Sequence, residues 1–312
     1  MQSAADGLTN LKCPVCENVD LSSFAVRYRD ANFLVVECRK CRFGFVPKEN
    51  QSHITDYSHY KDRCTAEETM HGNQWLKIQV NLDRYSLIRR FMPKGRILDV
   101  GSGWGHFVLA GRQTPYDVTG VEVSTESCFF ATHELEVSVR NISFYDLDEP
   151  STYNVVTMWD VLEHIHDPER FTQKAHIVLK DNGIVVIKVP RADALIARIL
   201  GKYWWHLGSG HVNYFSISTI TQLLKKSGFQ VIETRTTIEP KNILLNGVMP
   251  ILRRFKRSAT QVTPLDSQRT FNMLTNRSER TMRFLMWSHR MLLGFIRVLG
   301  IGDEIIVVGR KM

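Results

Sequence analysis

Three sets of residues in this 312-residue chain have types and spacings suited to chemistry. The first is Asp160, Glu163 and His164, which follow an apolar run ending at Trp159. If a helical turn starts there, these residues stand at i, i+3 and i+4 and share one face. Two carboxylates and an imidazole could take a proton from an acceptor hydroxyl. They could also hold a divalent cation that orients adjacent oxygens, or hold the turn itself by hydrogen bonds. The second set is the run Leu98-Asp99-Val100-Gly101-Ser102-Gly103-Trp104-Gly105, followed by Val118–Val123, which contains Glu122. Alternating glycines let a backbone turn tightly and approach a ligand beside a helix N-terminus. An acid about 20 residues further on stands where a nucleotide fold places its ribose-binding carboxylate. The third set is Cys13-Pro14-Val15-Cys16 and Cys38-Arg39-Lys40-Cys41, two C-x-x-C pairs with twenty-one residues between them. That spacing suits a four-thiolate structural zinc site on Cys13, Cys16, Cys38 and Cys41.

Dinucleotides and S-adenosylmethionine (SAM) both use a glycine-rich strand-to-helix turn, and spacing separates them. The dinucleotide fingerprint needs a third small residue where this chain has His106. The run from Leu98 to Gly105 instead resembles the first motif of class I SAM-dependent methyltransferases. The stretch Val161-Leu162-Glu163-His164-Ile165-His166-Asp167-Pro168 is similar to the fourth-strand motif of small-molecule members, including O-methyltransferases of ubiquinone biosynthesis. The resemblance implies a doubly wound α/β fold with a seven-stranded, mostly parallel sheet whose last strand inserts antiparallel between the fifth and sixth. It places the methionine part of SAM near Asp99, Gly101, Gly103 and Gly105, and the ribose at Glu122. It also puts Asp146 near the adenine, and Trp159 beside the sulfonium. Some ubiquinone-pathway enzymes have an acid-x-x-Glu-His metal site, which implies a divalent cation at Asp160, Glu163 and His164.

A second acceptor-side cluster, Tyr203-Trp204-Trp205-His206 and Gly210-His211-Val212-Asn213-Tyr214-Phe215-Ser216, suits a pocket lining. His211 is a candidate acceptor contact, with packing as the alternative. Ser216 or Ser218 reads as a helix cap. Tyr57 or Tyr60 could cover the cofactor.

The elements that must position these residues are legible as alternation. Strands are expected at 97–100, 118–123, 137–144, 154–159, 183–189, 230–236 and 304–309, with helices between them, including 169–179 and 218–227. A helical pattern over 73–91 precedes the first strand and is closed by Pro93 and Gly95. Residues 1–47 read as a zinc ribbon, 48–92 as a helical connector, and 93–312 as the SAM-binding domain, with 240–303 as a basic helical insert. The strands between the cysteine pairs are too small to form a core alone, and a bound zinc would supply that folding energy. Cys64 and Cys128 read as ordinary thiols.

Basicity is confined to one region. The net charge is +8, yet residues 240–300 carry eleven Lys/Arg against Asp266 and Glu279. Arg283, Arg290 and Arg297 form one stripe on a helix expected at 281–299, among Phe284, Trp287, Met291, Leu292, Phe295 and Leu299. That helix could pack as a lid or dimer face, dock on an anionic membrane surface, or grip an anionic substrate or nucleic acid. A polar Met1–Asn10 and no run of eighteen uncharged apolar residues predict neither a secretory leader nor a membrane span. A cytoplasmic protein is expected, with peripheral contact at the inner membrane surface. The leading expectation is methyl transfer from SAM to a small molecule, sugar or lipid-linked glycan, at oxygen. Alternatives are a zinc-ribbon RNA methyltransferase and a non-catalytic scaffold. No N/D-P-P-Y-type motif follows the fourth strand, which weighs against base methylation.

Overall fold

The computed structural model describes residues 11–29, 34–50, 74–208, 210–238 and 279–312. Tyr57, Tyr60, Cys64 and residues 240–278 of the expected insert lie outside the described residues.

A four-stranded antiparallel sheet opens the chain. It contains β1 (Phe24–Arg29), β2 (Leu34–Cys38), β3 (Gly44–Phe45) and, from far along the sequence, β9 (Asn213–Tyr214), in the order β1-β2-β3-β9. The main sheet is built from β4 (Gly95–Val100), β5 (Tyr116–Val121), β6 (Val139–Arg140), β7 (Tyr153–Trp159), β8 (Leu179–Pro190), β10 (Phe229–Thr237) and β11 (Glu304–Lys311). Its order is β10-β11-β8-β7-β4-β5-β6, with β11 antiparallel to both neighbours and the other pairings parallel. This is the expected doubly wound architecture, with the order reversing between β4 and β7, where a ligand crevice opens at the carboxyl edge.

Central strands β4, β7 and β8 are nearly continuous apolar runs because helices cover both of their faces. On one face Ile97, Val155, Ile184 and Val186 pack under Tyr85 and Ile88 of α1 (Gln74–Arg89). On the other, Leu98, Val156, Met158, Val185 and Ile187 meet Ala175 of α4 (Pro168–Val178) and Leu223 of α6 (Ile217–Lys226). Phe24, Val36, Phe43 and Phe45 of the N-terminal unit belong to that same cluster, and Phe43 and Phe215 have ring centroids 5.1 Å apart. The N-terminal unit therefore shares its core with the larger domain.

Helix starts follow local rules. Asp167 caps α4 with Pro168 in its first turn, and Ser124 caps α3 (Thr125–His133). Ser216 and Thr219 form a capping box on α6, so of the two serines expected to cap this helix it is Ser216 that does. The short helices α2 (His106–Gly111) and α5 (Leu195–Leu200) follow β4 and β8, and α7 (Glu279–Leu299) precedes β11. No helix among the described residues is long and apolar enough to cross a membrane.

Candidate functional site

The glycine turn after β4 forms an open cradle. Gly101, Gly103 and Gly105 all have positive φ (67°, 52° and 78°), a region that L side chains rarely adopt. A Cβ on Gly101 would stand 2.7 Å from a methyl of Val161, whereas one on Gly103 would meet nothing within 4 Å. Buried Glu122 faces this turn: one carboxylate oxygen accepts from the Gly103 N–H (2.7 Å) and the other from Ser124 N–H (2.8 Å). Each oxygen keeps a further lone pair, so the carboxylate could also accept two vicinal hydroxyls. Asp99 is fully enclosed within β4 and accepts from Thr157 Oγ1 at 2.6 Å. Burial, only partly offset by that hydrogen bond, raises its carboxyl to about 7. Asp146 ends a short 3-10 turn (Phe144–Asp146) after β6, exposed at the same sheet edge. The donor set, the cradle and the twin-acceptor carboxylate fit the nucleoside and amino-acid parts of SAM.

Beyond β7 the turn differs from the expected helix. Asp160 has φ 59°, and the 3-10 turn begins only at Leu162 (Leu162–His164). The i, i+3, i+4 face therefore does not form. Asp160 turns instead to Lys188 Nζ at 3.0 Å, and Glu163 and His164 point to a different partner, His211. The ligating atoms of Glu163, His164 and His211 lie within 4.8 Å of one another, and the two imidazole rings meet edge to face at 4.7 Å. His164 Nδ1 faces the Gly210 carbonyl at 3.0 Å. That bond requires Nδ1 to donate, so in the neutral ring Nε2 carries the lone pair a base needs. Glu163 is buried, and desolvation followed by the charge of Asp160 holds its carboxyl well above the usual range. Its Oε2 has no hydrogen-bond partner among the described residues. A cation would favour the ionised form of this carboxyl, and one carboxylate with two imidazoles is a donor set suited to a transition ion. The expected trio with Asp160 is not brought together.

Long-range contacts hold this turn. The Asn213 side-chain amide donates to the Leu162 and Ile165 carbonyls (3.1 and 2.6 Å), and Val212 N–H donates to Glu163 O (2.8 Å). Behind His211, His206 stacks at 5.8 Å and lies 3.7 Å from the fully buried carboxylate of Asp303.

Several residues that sequence reasoning missed line the other side of the turn. Lys188, buried in β8, sits between Asp160 and Glu304 (3.3 Å to Glu304 Oε1). Strand register puts Trp159, Lys188, Ile306 and Arg235 in one cross-strand row. Arg84 of α1 stacks over Trp159 with its guanidinium carbon 4.5 Å from the ring centroid. This row floors a cavity of about 430 Å³ roofed by α7. A lysine inside an apolar strand was the available signal; Asp303 and Glu304 gave none beyond standing at the start of the last strand.

The four cysteines converge as their spacing predicts. Cys13 and Cys41 sulfurs are 3.6 Å apart, as are those of Cys16 and Cys38, and all four lie within 4.8 Å. Tetrahedral Zn–S bonds of about 2.3 Å imply S···S separations of about 3.8 Å, so the cluster fits zinc. Cys128 is a buried free thiol. On α7, Met286 and Ile296 are buried whereas Phe284, Trp287, Met291, Phe295 and Leu299 form an exposed apolar stripe. Arg290, at the edge of that stripe, is held bidentately by Asp83 of α1 (2.9 and 3.0 Å).

Comparison with known proteins agrees with this geometry. A family profile described as a methyltransferase domain matches residues 75–234, just over half of the chain. Ubiquinone biosynthesis O-methyltransferase of Xanthomonas campestris is 33% identical over 145 residues, covering 41% of this chain and 60% of the relative. The homonymous protein of Rickettsia typhi is 24% identical over 182 residues, covering 56% and 72%. The chain thus spans about 60% of the length of the first curated relatives it matches. Phosphoethanolamine N-methyltransferase 2 of Haemonchus contortus, solved with SAM, shares the fold at a TM-score of 0.50 and 17% identity, over 91% of this chain and 70% of that one. The matched family shows that the chain belongs to the methyltransferase-domain family, and its sheet order and glycine cradle are those expected of the class I fold.

Proposed function

We propose that the protein transfers a methyl group from SAM to an oxygen of a small-molecule acceptor, a sugar or lipid-linked glycan included. The observation that carries this reading is the pairing of the Gly101–Gly105 cradle and Glu122 with an enclosed polar turn at the end of the neighbouring central strand. When bound, SAM supplies an electrophilic methyl on its sulfonium. Glu122 would take the ribose hydroxyls, Asp146 the adenine side, and Asp99 and the glycine backbone the methionine end. Methyl transfer needs an in-line nucleophile and exclusion of water. The buried walls at Trp159, Leu162 and Phe107 supply the dry surface. His164, through Nε2, would take the acceptor proton, with His211 against it and Glu163 holding the resulting positive charge.

Cys13, Cys16, Cys38 and Cys41 would hold a structural zinc. Four thiolates leave no open position on the ion, so its part is to fold the N-terminal sheet. The exposed stripe of α7, with Arg283 beside it, would rest on an anionic membrane surface.

The reading is tested by incubating the protein with methyl-labelled SAM and fractionated host extract, with and without ribonuclease. Label in metabolite or lipid fractions that survives ribonuclease supports it. Label abolished by ribonuclease moves the protein to RNA modification.

A further inference from the structure

Asp303, the residue before β11, is fully enclosed, and neither of its carboxylate oxygens accepts a hydrogen bond among the described residues. A carboxylate so placed is costly to keep, and buried polar groups are otherwise bonded. The cations nearest to it along the chain and the sheet are committed elsewhere. The Arg191 side chain bonds Asp193 (3.0 Å) and the Gly300 carbonyl, and its backbone N–H meets only the main-chain oxygen of Asp303 (2.7 Å). Lys188 is held by Asp160 and Glu304. Among the described residues, the side chain left facing the Asp303 carboxylate is His206, with Nε2 3.7 Å from Oδ2.

His206 stands among rings. Trp204 meets it edge to face at 5.2 Å and Trp205 lies at 6.0 Å. Aromatic walls confine an imidazole to a slot, but they select neither of its two flipped orientations nor its tautomer. A carboxylate beside one nitrogen selects both, by favouring a proton there. The His206 ring is nearly parallel to that of His211 (22°, centroids 5.8 Å apart), and His211 meets His164 edge to face at 4.7 Å. Three imidazoles therefore stand in sequence between one buried carboxylate and the turn that follows β7.

We propose that Asp303 is a positioning residue for methyl transfer: it fixes the orientation of His206 and, through the stacked His211, the aim of His164 at the acceptor. This rests on the methyl-transfer reading above, in which His164 takes the acceptor proton. A carboxylate kept without hydrogen bonds lowers stability, and such costs persist at sites where geometry serves the reaction. A base turned slightly out of line loses rate, whereas the cofactor cradle is left as it was.

The test compares full-length wild type with Asp303→Ala and Asp303→Asn, each loaded with S-adenosylhomocysteine and carrying isotope-labelled histidine. Long-range proton–nitrogen spectra report which ring nitrogen of each histidine bears the proton. Wild-type His206 is expected to bear it on Nε2. Asp303→Ala should change the ring signals of His206, His211 and His164, although Asp303 meets only the first of them. Transfer of labelled methyl from saturating SAM, into the extract fraction that the wild type labels, should slow by about 10–100-fold. S-adenosylhomocysteine affinity should stay unchanged. Asp303→Asn keeps an oxygen that can accept from Nε2, so it should retain part of the rate, and its thermal midpoint should be no lower than that of the wild type. In a His206→Ala background, Asp303→Ala should cost no further rate. A wild-type His206 with its proton on Nδ1, or an Asp303→Ala protein with unchanged His164 signals, would overturn the proposal. So would a lowered midpoint in Asp303→Asn together with lost S-adenosylhomocysteine affinity, because Asp303 would then serve folding. Failure of the wild type to bind S-adenosylhomocysteine would instead strike the methyl-transfer reading, while the ring signals would still decide whether Asp303 governs His164.

Discussion

Phe45 of the N-terminal sheet pairs, backbone to backbone, with Asn213, a residue 168 positions further along the chain. The same Asn213 holds the Leu162 and Ile165 carbonyls with its side chain, and Val212 beside it holds Glu163. One short strand thus ties the cysteine cluster to the polar turn and to His211. Removing the amide as Asn213→Ala leaves two buried carbonyls short of a donor, at about 1–3 kcal/mol. The expected result is lower stability together with a reduced kcat, while affinity for S-adenosylhomocysteine stays unchanged. Denaturant unfolding and steady-state kinetics on the same preparation check this.

Metal removal should act through that strand. Zinc analysis of protein purified without chelator should give one ion per chain. Stripping it, or replacing Cys38 by Ser, should expose the segment around residues 191–216 to protease, because β9 loses its neighbour in β3. Unchanged protection after complete zinc loss would contradict the coupling.

His164→Gln and His211→Gln address proton removal. General-base catalysis contributes about 10²–10⁴-fold. His164→Gln is expected to lose kcat on that scale, with S-adenosylhomocysteine affinity retained. The loss in His211→Gln should be smaller, since His211 meets His164 rather than taking the proton. An acceptor that is already nucleophilic would leave both variants near wild-type activity, which kcat values would reveal directly.

Asp99 makes stability depend on pH in an unusual direction. Its carboxyl is raised to about 7 in the folded protein, against about 3.9 when unfolded. Between those values the unfolded chain releases the proton and the folded chain keeps it. Stability from this group therefore falls as pH rises from about 4 to about 7, by about 4 kcal/mol at most, and is flat above. Asp99→Asn should abolish that part of the decline. Urea midpoints of both proteins at pH 5 and pH 8 measure it, and an identical pH dependence would rule Asp99 out as its source.

The exposed stripe of α7 gives a separable prediction. Trp287→Ser with Phe295→Ser should release the protein from vesicles containing anionic lipid, without changing S-adenosylhomocysteine binding. Sedimentation with vesicles reads the first and calorimetry the second.

Much of this arrangement is legible in the sequence, for identifiable reasons. The buried central strands are continuous apolar runs, so β4, β7 and β8 stand within a few residues of where they were expected. The expected strand at 137–144 shrinks to Val139–Arg140 because Ser143 caps a 3-10 turn that ends it. Strand β9 has no local signature: two residues pair only because distant Gly44 and Phe45 offer a free edge. The left-handed Asp160 gives only a weak signal, since aspartate tolerates that region without requiring it, and its pull toward Lys188 depends on strand register. Side chains brought together by register, such as Lys188 with Glu304, are the part that spacing along the chain cannot express.

The most direct measurement is a titration of S-adenosylhomocysteine into wild-type protein and into Glu122→Ala. The cradle and Glu122 together predict one saturable site per chain in the wild type, and an affinity lowered by about 10–100-fold in the variant, as expected for losing charged hydrogen bonds to two hydroxyls. No saturable binding to the wild type, or equal affinity in both proteins, would contradict the assignment of this cradle as the SAM site.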